Sequence, residues 1–187
     1  MIQVFRYLRS IQPHSPDFRD HIEDILKEKK LKRKEYLLKV GHNCGNIYFV
    51  DQGLLRAYYI KGKKEISHHF FKEGEICVDV DSFLSQQYSM FNIQALEDCT
   101  LYFISYAELQ HIYARFSEFE KVSRILIEKC HIIQIQRFQA MWMQPSEDRY
   151  KWLSKTFPDF HQRIPAKYLA SYIGVTEGQI SNIKNHR

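Results

Sequence analysis

No stretch of this chain approaches the roughly 18 consecutive apolar residues that a membrane-spanning helix needs. The N-terminus has no apolar run leading to a small-residue cleavage site. Neither membrane insertion nor export is expected, and a cytoplasmic protein is. The four cysteines, Cys44, Cys77, Cys99 and Cys130, lie far apart with no C-x-x-C pair. That spacing suggests neither a zinc ribbon nor a local iron–sulfur frame. Reduced and mostly buried thiols are the expectation in such a compartment. A Gly-rich phosphate loop, a G-x-S-x-G elbow and an H-E-x-x-H helix are all absent, and with them the chemistries they carry. Internal repeats and low-complexity segments are absent too.

What is present is an ordinary globular composition, 44% hydrophobic and 26% charged, rich in Tyr and Phe. A length of 187 residues leaves room for one large domain or two small ones. The formal net charge of +5 suits a polyanionic partner but is too mild to establish one.

Patterning divides the chain into three parts: residues 1–116, 117–143 and 144–187. The spacing of Phe18, Ile22, Ile25 and Leu26 predicts helix near the start, and residues 1–33 read as helical. A basic run follows (Lys27, Lys29, Lys30, Lys32, Arg33, Lys34), either a solvated helix end or a phosphate contact. From Glu35 to about Ser105, short apolar runs alternate with turn signals such as Gly41-His42-Asn43, Asp51-Gln52-Gly53 and Glu73-Gly74. Many short strands at this spacing predict a β-sandwich or barrel. Leu54, Ala57 and Tyr59 do not alternate cleanly, which predicts a closed roll buried partly on both faces. A short helix is expected around Tyr106–Ala114, then a long one over Ser117–Met143. In the long helix Phe119, Val122, Leu126, Cys130 and Ile133 form a stripe, widened by further isoleucines. Such a helix either pairs with its copy in a second subunit or is buried on both sides within one chain. Pro145 ends it, and Ser146-Glu147-Asp148 should cap another helix through about Phe157.

The last stretch, Ile164–Arg187, carries the clearest functional signal. Ile164, Leu169 and Ile173 predict one short helix with Pro165 at its first position. Gly174 should stop it in the left-handed conformation. Thr176 and Gln179 have the spacing of a capping box for a second helix, whose inward residues are Ile180 and Ile183. This reads as a helix-turn-helix, with an ordinary helical hairpin closing a core as the plainer alternative. As a DNA reader it would direct Thr176, Glu177, Gln179 and Ser181 at base edges, with Asn182 and Lys184 at bases or phosphates. Gln179 and Asn182 have the groups to pair bidentately with adenine, and Glu177 can accept from cytosine. Lys167, Lys184 and Arg187 are the phosphate candidates.

A β-roll, a long helix and a C-terminal helix-turn-helix, in that order, resemble the Crp/Fnr family of bacterial transcription regulators over nearly the whole chain. The resemblance rests on Ile47-Tyr48-Phe49-Val50, Gly53-Leu54-Leu55-Arg56, Gly74-Glu75, Ala95-Leu96-Glu97-Asp98 and the closing Tyr168–Ile183 stretch. It implies an α+β fold: a double-stranded β-roll of the cyclic-nucleotide-binding kind, a long dimerisation helix and a DNA-binding helical domain. It implies a homodimer on promoter DNA, with RNA polymerase and a small-molecule effector as further candidate partners. The helix stripe Phe119, Val122, Leu126, Cys130 and Ile133 becomes the expected pairing face, and two half-sites about 34 Å apart would follow. No enzyme activity is implied. Two departures stand at the recognition helix: Glu177-Gly178 where relatives often have arginine then glutamate, and Asn182 where arginine is usual. The chain ends at Arg187, so no β-hairpin wing is expected.

In cyclic-nucleotide-binding relatives a Gly-Glu pair grips the ribose and an Arg-Ser pair the phosphate. Counting from Gly74 puts Val78-Asp79 and Ser89-Met90 at those places, so Asp79, Ser89 and Met90 form the candidate effector pocket. A serine offers no guanidinium fork to a phosphate, so tight cyclic-AMP binding is not expected. Arg56 is a substitute cation or simply a surface strand residue. No cysteine precedes Cys44, against an N-terminal iron–sulfur sensor, and nothing among nine histidines singles out haem ligands. No cofactor or metal is assigned. Two other readings remain: a regulator controlled by abundance or a protein partner, and a cupin-like metal-dependent enzyme. The enzyme would rest on His68-His69 with Glu73, but adjacent strand residues face opposite ways and make a poor ligand pair.

Overall fold

The computed structural model describes residues 2–11 and 13–185. They form two compact units, one comprising the chain up to Tyr58 with Phe70–Ile127, the other Tyr59–His69 with the chain from Glu128 onward. This differs from the expected three-part division: one boundary falls inside the long helix, and a hairpin tip belongs to the second unit.

The first unit opens with α1 (Ile2–Ile11) and α2 (Pro16–Ile25), the latter capped by Ser15, whose hydroxyl accepts from Phe18 N–H. Helix ends there, earlier than expected. Lys27–Leu31 is strand β1, paired antiparallel with β8 (Cys99–Ser105) from Lys27↔Phe103 to Leu31↔Cys99. The lysine run is therefore an edge strand, where charge discourages pairing with another chain. Between them come β2 (Tyr36–Leu38), β3 (Asn46–Gln52), β4 (Leu55–Lys61), β5 (Lys64–Phe71), β6 (Ile76–Cys77), α3 (Val80–Ser85) and β7 (Asn92–Ala95). The strands make two four-stranded sheets, β1-β8-β3-β6 and β2-β7-β4-β5. This is the expected roll; β6 and α3 were too short to show as patterns.

Burial explains the broken alternation in β4, where Leu55, Arg56, Ala57 and Tyr58 are all buried, so the strand is covered on both faces. Leu55, Ala57, Ile93 and Ala95 join Val50, Cys77 and Leu101 in one core. Gly53 connects β3 to β4 at φ +97°, and a Cβ there would lie 2.5 Å from the Asp98 carbonyl oxygen, so only glycine fits. Helix α4 (Tyr106–Arg115) starts with a complete capping box of Ser105 and Glu108. Helix α5 (Glu118–Met143) follows. Phe18 packs edge-on against Phe116 at 5.4 Å and stacks with Phe119 at 5.8 Å.

In the second unit α6 (Ser146–Thr156) begins one residue earlier than expected, with Pro145 at the cap position and Ser146 already helical. Next come α7 (Phe160–Arg163), a turn that sequence pattern did not reveal, α8 (Ala166–Ile173) and α9 (Glu177–Asn185). Leu153, Phe157, Phe160, Ile164, Leu169, Tyr172, Ile173 and Ile180 are all buried. Phe157 and Phe160 stack face to face at 4.5 Å.

Candidate nucleic-acid interface

The α8–α9 pair is built as its sequence requires. Gly174 has φ +66°, and the Gly174 and Val175 N–H groups both donate to the Ala170 carbonyl, Val175 at 2.9 Å. This closes α8 with a left-handed glycine. At the start of α9, Thr176 N–H donates to Gln179 Oε1 at 2.8 Å and Gln179 N–H to Thr176 Oγ1 at 3.2 Å. The capping box is complete, and it engages the same amide oxygen that adenine pairing would need. Ile180 is 1% exposed, anchoring α9. Thr176, Glu177, Gly178, Gln179, Ser181 and Asn182 are exposed, as is Lys167, whose Nζ lies over the Tyr168 ring. The Lys184 side chain and all of Arg187 lie outside the described residues.

Two arginines that sequence reading did not single out hold the turn. Arg149 donates from Nη1 to the carbonyls of Ile173 (3.1 Å) and Gly174 (3.0 Å), and from Nε to Gln144 O at 2.9 Å. Arg137 donates from Nε to Tyr172 O at 3.2 Å and lies over the Tyr172 ring at 4.3 Å. The last carbonyls of a helix have no intrahelical donor, and a charged donor for them is worth about 1.5–3 kcal/mol. Without side-chain geometry, neither arginine differs from any other helix arginine.

Along α5 the expected pairing stripe divides. Phe119 and Val122 are buried in the first unit's own core, and Leu126 packs against it. Ile133 is half-buried and Cys130 exposed. A different stripe faces solvent: Ile127 (64% exposed), Ile132, Ile135, Phe138 (61%) and Trp142 (77%). At about 100° per residue it lies on the side of the helix opposite the expected one. Periodicity found both stripes' residues but not which one the roll's own core claims.

The candidate effector residues meet in part. Asp79 caps α3, and its Oδ2 accepts from Ser89 Oγ at 2.5 Å, both residues being buried. Ser89 is held further by its N–H to His42 O and its carbonyl to Gly41 N, both at 2.9 Å. Met90 points away, 72% exposed. The Asp79 oxygen expected to meet a ribose hydroxyl thus already accepts a hydrogen bond from Ser89. Arg56, whose plainer reading was a surface residue, is wholly buried with its guanidinium 4.4 Å from the Tyr58 ring centroid. The two-sided cover of β4 is the reason. Elsewhere in the roll a concavity of about 390 Å³ is lined by Tyr36, Leu38, Tyr48, Cys77, Val78 and Ile93, with Lys39 and His42 also bordering it. Burial pushes the Cys44 and Cys77 thiols up, and Cys99 up to about 11, so these stay protonated. Among the described residues no three His, Cys, Asp or Glu side chains are grouped to hold a metal ion. His69 instead takes a 3.1 Å hydrogen bond with Gln134 Nε2. No described helix is long and apolar enough to cross a membrane.

Residues 28–116 match the family model of the cyclic nucleotide-binding domain. No curated protein matches the sequence. Among solved structures the chain resembles the c-di-GMP-responsive global regulator CLP of Xanthomonas campestris, with TM-score 0.67 and 16% identity over 92% of this chain and 91% of that one. It resembles FixK2 of Bradyrhizobium japonicum with TM-score 0.70 and 12% identity, over 87% and 84% of the two chains. A chain from Eubacterium rectale described as a transcriptional regulator of the Crp/Fnr family gives TM-score 0.68 and 16% identity, over 92% and 83%.

Proposed function

We infer, for a chain with a cyclic-nucleotide-binding-type domain and the fold of the Crp/Fnr transcription regulators, a dimeric, sequence-specific DNA-binding regulator of transcription. The observation that carries this is the α8–α9 pair: a glycine turn clamped by Arg149, a capped second helix, and a polar face of Thr176, Glu177, Gln179, Ser181 and Asn182 left to solvent. Such a helix presents its first residues to base edges in the major groove. Lys167 supplies charge for a phosphate. Pairing of two subunits is supported by the exposed stripe from Ile127 to Trp142 rather than by Phe119 and Val122, which are already buried. The closed Asp79–Ser89 pair supports a regulator that does not bind cyclic AMP tightly, and favours control by another ligand, by abundance or by a protein partner.

The test is selection of bound sites from a random duplex pool. Inverted repeats with half-site centres about one helical turn, roughly 34 Å, apart are expected. Enrichment of no sequence, with retention of DNA falling uniformly as salt rises, would reduce the protein to a non-specific polyanion binder.

A further inference from the structure

The concavity of about 390 Å³ lies wholly within the first unit, bounded by β2, the loop after it, β3 and the end of β6. Of Val78, Asp79, Ser89 and Met90, which stand at the nucleotide-gripping positions of cyclic-nucleotide-binding relatives, only Val78 borders it. No residue of β4, β5 or α5 lines it either. Its volume falls at the small end of ligand pockets, which run from about 300 to 1,000 Å³. Leu38, Cys77 and Ile93 give it a buried apolar floor. Tyr48 stands directly opposite Cys77 across the β3–β6 ladder, so the two side chains share a face. Tyr48 is 8% exposed, and its hydroxyl oxygen accepts from Asn46 Nδ2 at 3.2 Å. Among the described residues the hydroxyl's own proton has no acceptor, and burial raises its pKa, so the group stays a donor. The mouth is basic. Lys39 and His42 are exposed there, the lysine Nζ lies 5.1 Å from the Tyr36 ring centroid, and no aspartate or glutamate lines the cavity. The wall is fixed in advance: Cys44 N–H donates to Ser82 Oγ, Gly41 N–H to Ser89 O and Ser89 N–H to His42 O, each at 2.9 Å. A wall already ordered adds little entropy cost to binding.

We propose that this cavity is a binding site for a small carboxylic acid with a compact apolar body. The body covers the floor of Leu38, Cys77 and Ile93, where it leaves water. The carboxylate accepts the spare Tyr48 proton in the field of Lys39 and His42. A cationic ligand meets only like charge at that mouth, and a neutral amide of the same shape gains the hydrogen bond without the charge. One lysine and no arginine suit a single carboxylate rather than a phosphate, for which a guanidinium fork is the better partner. The site stands on the cavity alone and does not require the DNA-reading assignment.

Titration calorimetry on the full chain, without DNA, tests it with phenylacetate, isovalerate, phenylacetamide and phenethylamine as probes. At least one of the two acids should bind with a Kd below about 1 mM. The amide should bind about fivefold more weakly than phenylacetate, the most that an exposed charge supplies, and the amine should not bind. Tyr48→Phe keeps the ring against Phe103, 5.3 Å away between centroids, and removes the donor. It should weaken the acid by about fivefold, one ordinary hydrogen bond's worth. Lys39→Gln, on the surface, should erase the preference for acid over amide and leave the unfolding midpoint where it was, which keeps the test open even if Tyr48→Phe proves unstable. Failure of both acids to bind, an amine bound as tightly as the acid, or parent affinity and preference retained in both variants overturns the proposal. A protein that binds the acid but selects no DNA site would remove the DNA-reading assignment and leave this site standing, and one that selects a site but binds neither acid would do the reverse.

Discussion

On the proposed pairing of two subunits through the exposed face of α5, replacing Phe138 with glutamate should leave a monomer without unfolding it. Phe138 is 61% exposed and its ring lies 5.6 Å from that of Trp142, itself 77% exposed. An aromatic side chain buries roughly 150–250 Å² when fully covered, so about 100–150 Å² of Phe138 remains for a partner. At about 25 cal/mol per Å² that surface is worth about 3 kcal/mol. In a twofold dimer it counts twice, about 6 kcal/mol, or roughly ten-thousandfold in the dimer dissociation constant. The glutamate adds the cost of desolvating a charge. Sedimentation equilibrium from about 0.1 to 100 μM, which brackets ordinary dimer affinities, should find the parent dimeric and Phe138→Glu monomeric, with unchanged helix content. Val122→Glu is the contrast: at 2% exposure it sits in the roll's own core, so it should lower the unfolding midpoint rather than split subunits. Phe138→Glu protein that keeps the parent dissociation constant would refute the placement of the interface.

Gln179→Glu keeps an acceptor for the Thr176 N–H and so preserves the α9 cap, but removes the amide donor. It should cost the selected DNA site about 1–3 kcal/mol relative to random DNA, and an equal loss on both would show that Gln179 reads no base. Calorimetry should detect no sub-micromolar cyclic AMP binding, since Asp79 and Ser89 are bonded to each other; a sub-micromolar site would mean that the pair opens. Burial lowers the His69 pKa from 6.5 to about 3, with the neighbouring His68 and Arg137 adding to the effect. The folded state thus resists protonation that the unfolded chain accepts, and stability falls as pH drops from about 6.5 toward 3. Between pH 6.5 and 5 the loss approaches about 2 kcal/mol, and urea unfolding of His69→Gln should lose most of that slope.

Legibility followed periodicity and turn chemistry. Gly174, the Thr176–Gln179 box and Ile180 were readable because each obeys a local backbone rule that holds in any surroundings. The roll was readable as many short strands, although β6, α3 and α7 were too short to leave a period. Lys27–Leu31 was misread as helix end because a strand of five residues with one buried side chain looks like a solvated tail until β8 is beside it. In α5 the isoleucines outnumber what one stripe needs, so pattern alone could not choose between the face that Phe18 and Phe116 cover and the face they leave open.

The sequence by itself determined the succession of strand-rich roll, long helix and short helices, the glycine turn between α8 and α9, and the capped start of α9. These depend on residues within a few positions of each other, where backbone sterics and capping act locally. Tertiary structure alone decided which side of α5 is free, that Arg56 is buried, that Asp79 is bonded to Ser89, and that Arg149 and Arg137 hold the end of α8. Each of these joins groups ten to a hundred residues apart or depends on cover from such distant groups. Folding decides which polar atoms lose water and must find one another, and no local pattern encodes that pairing.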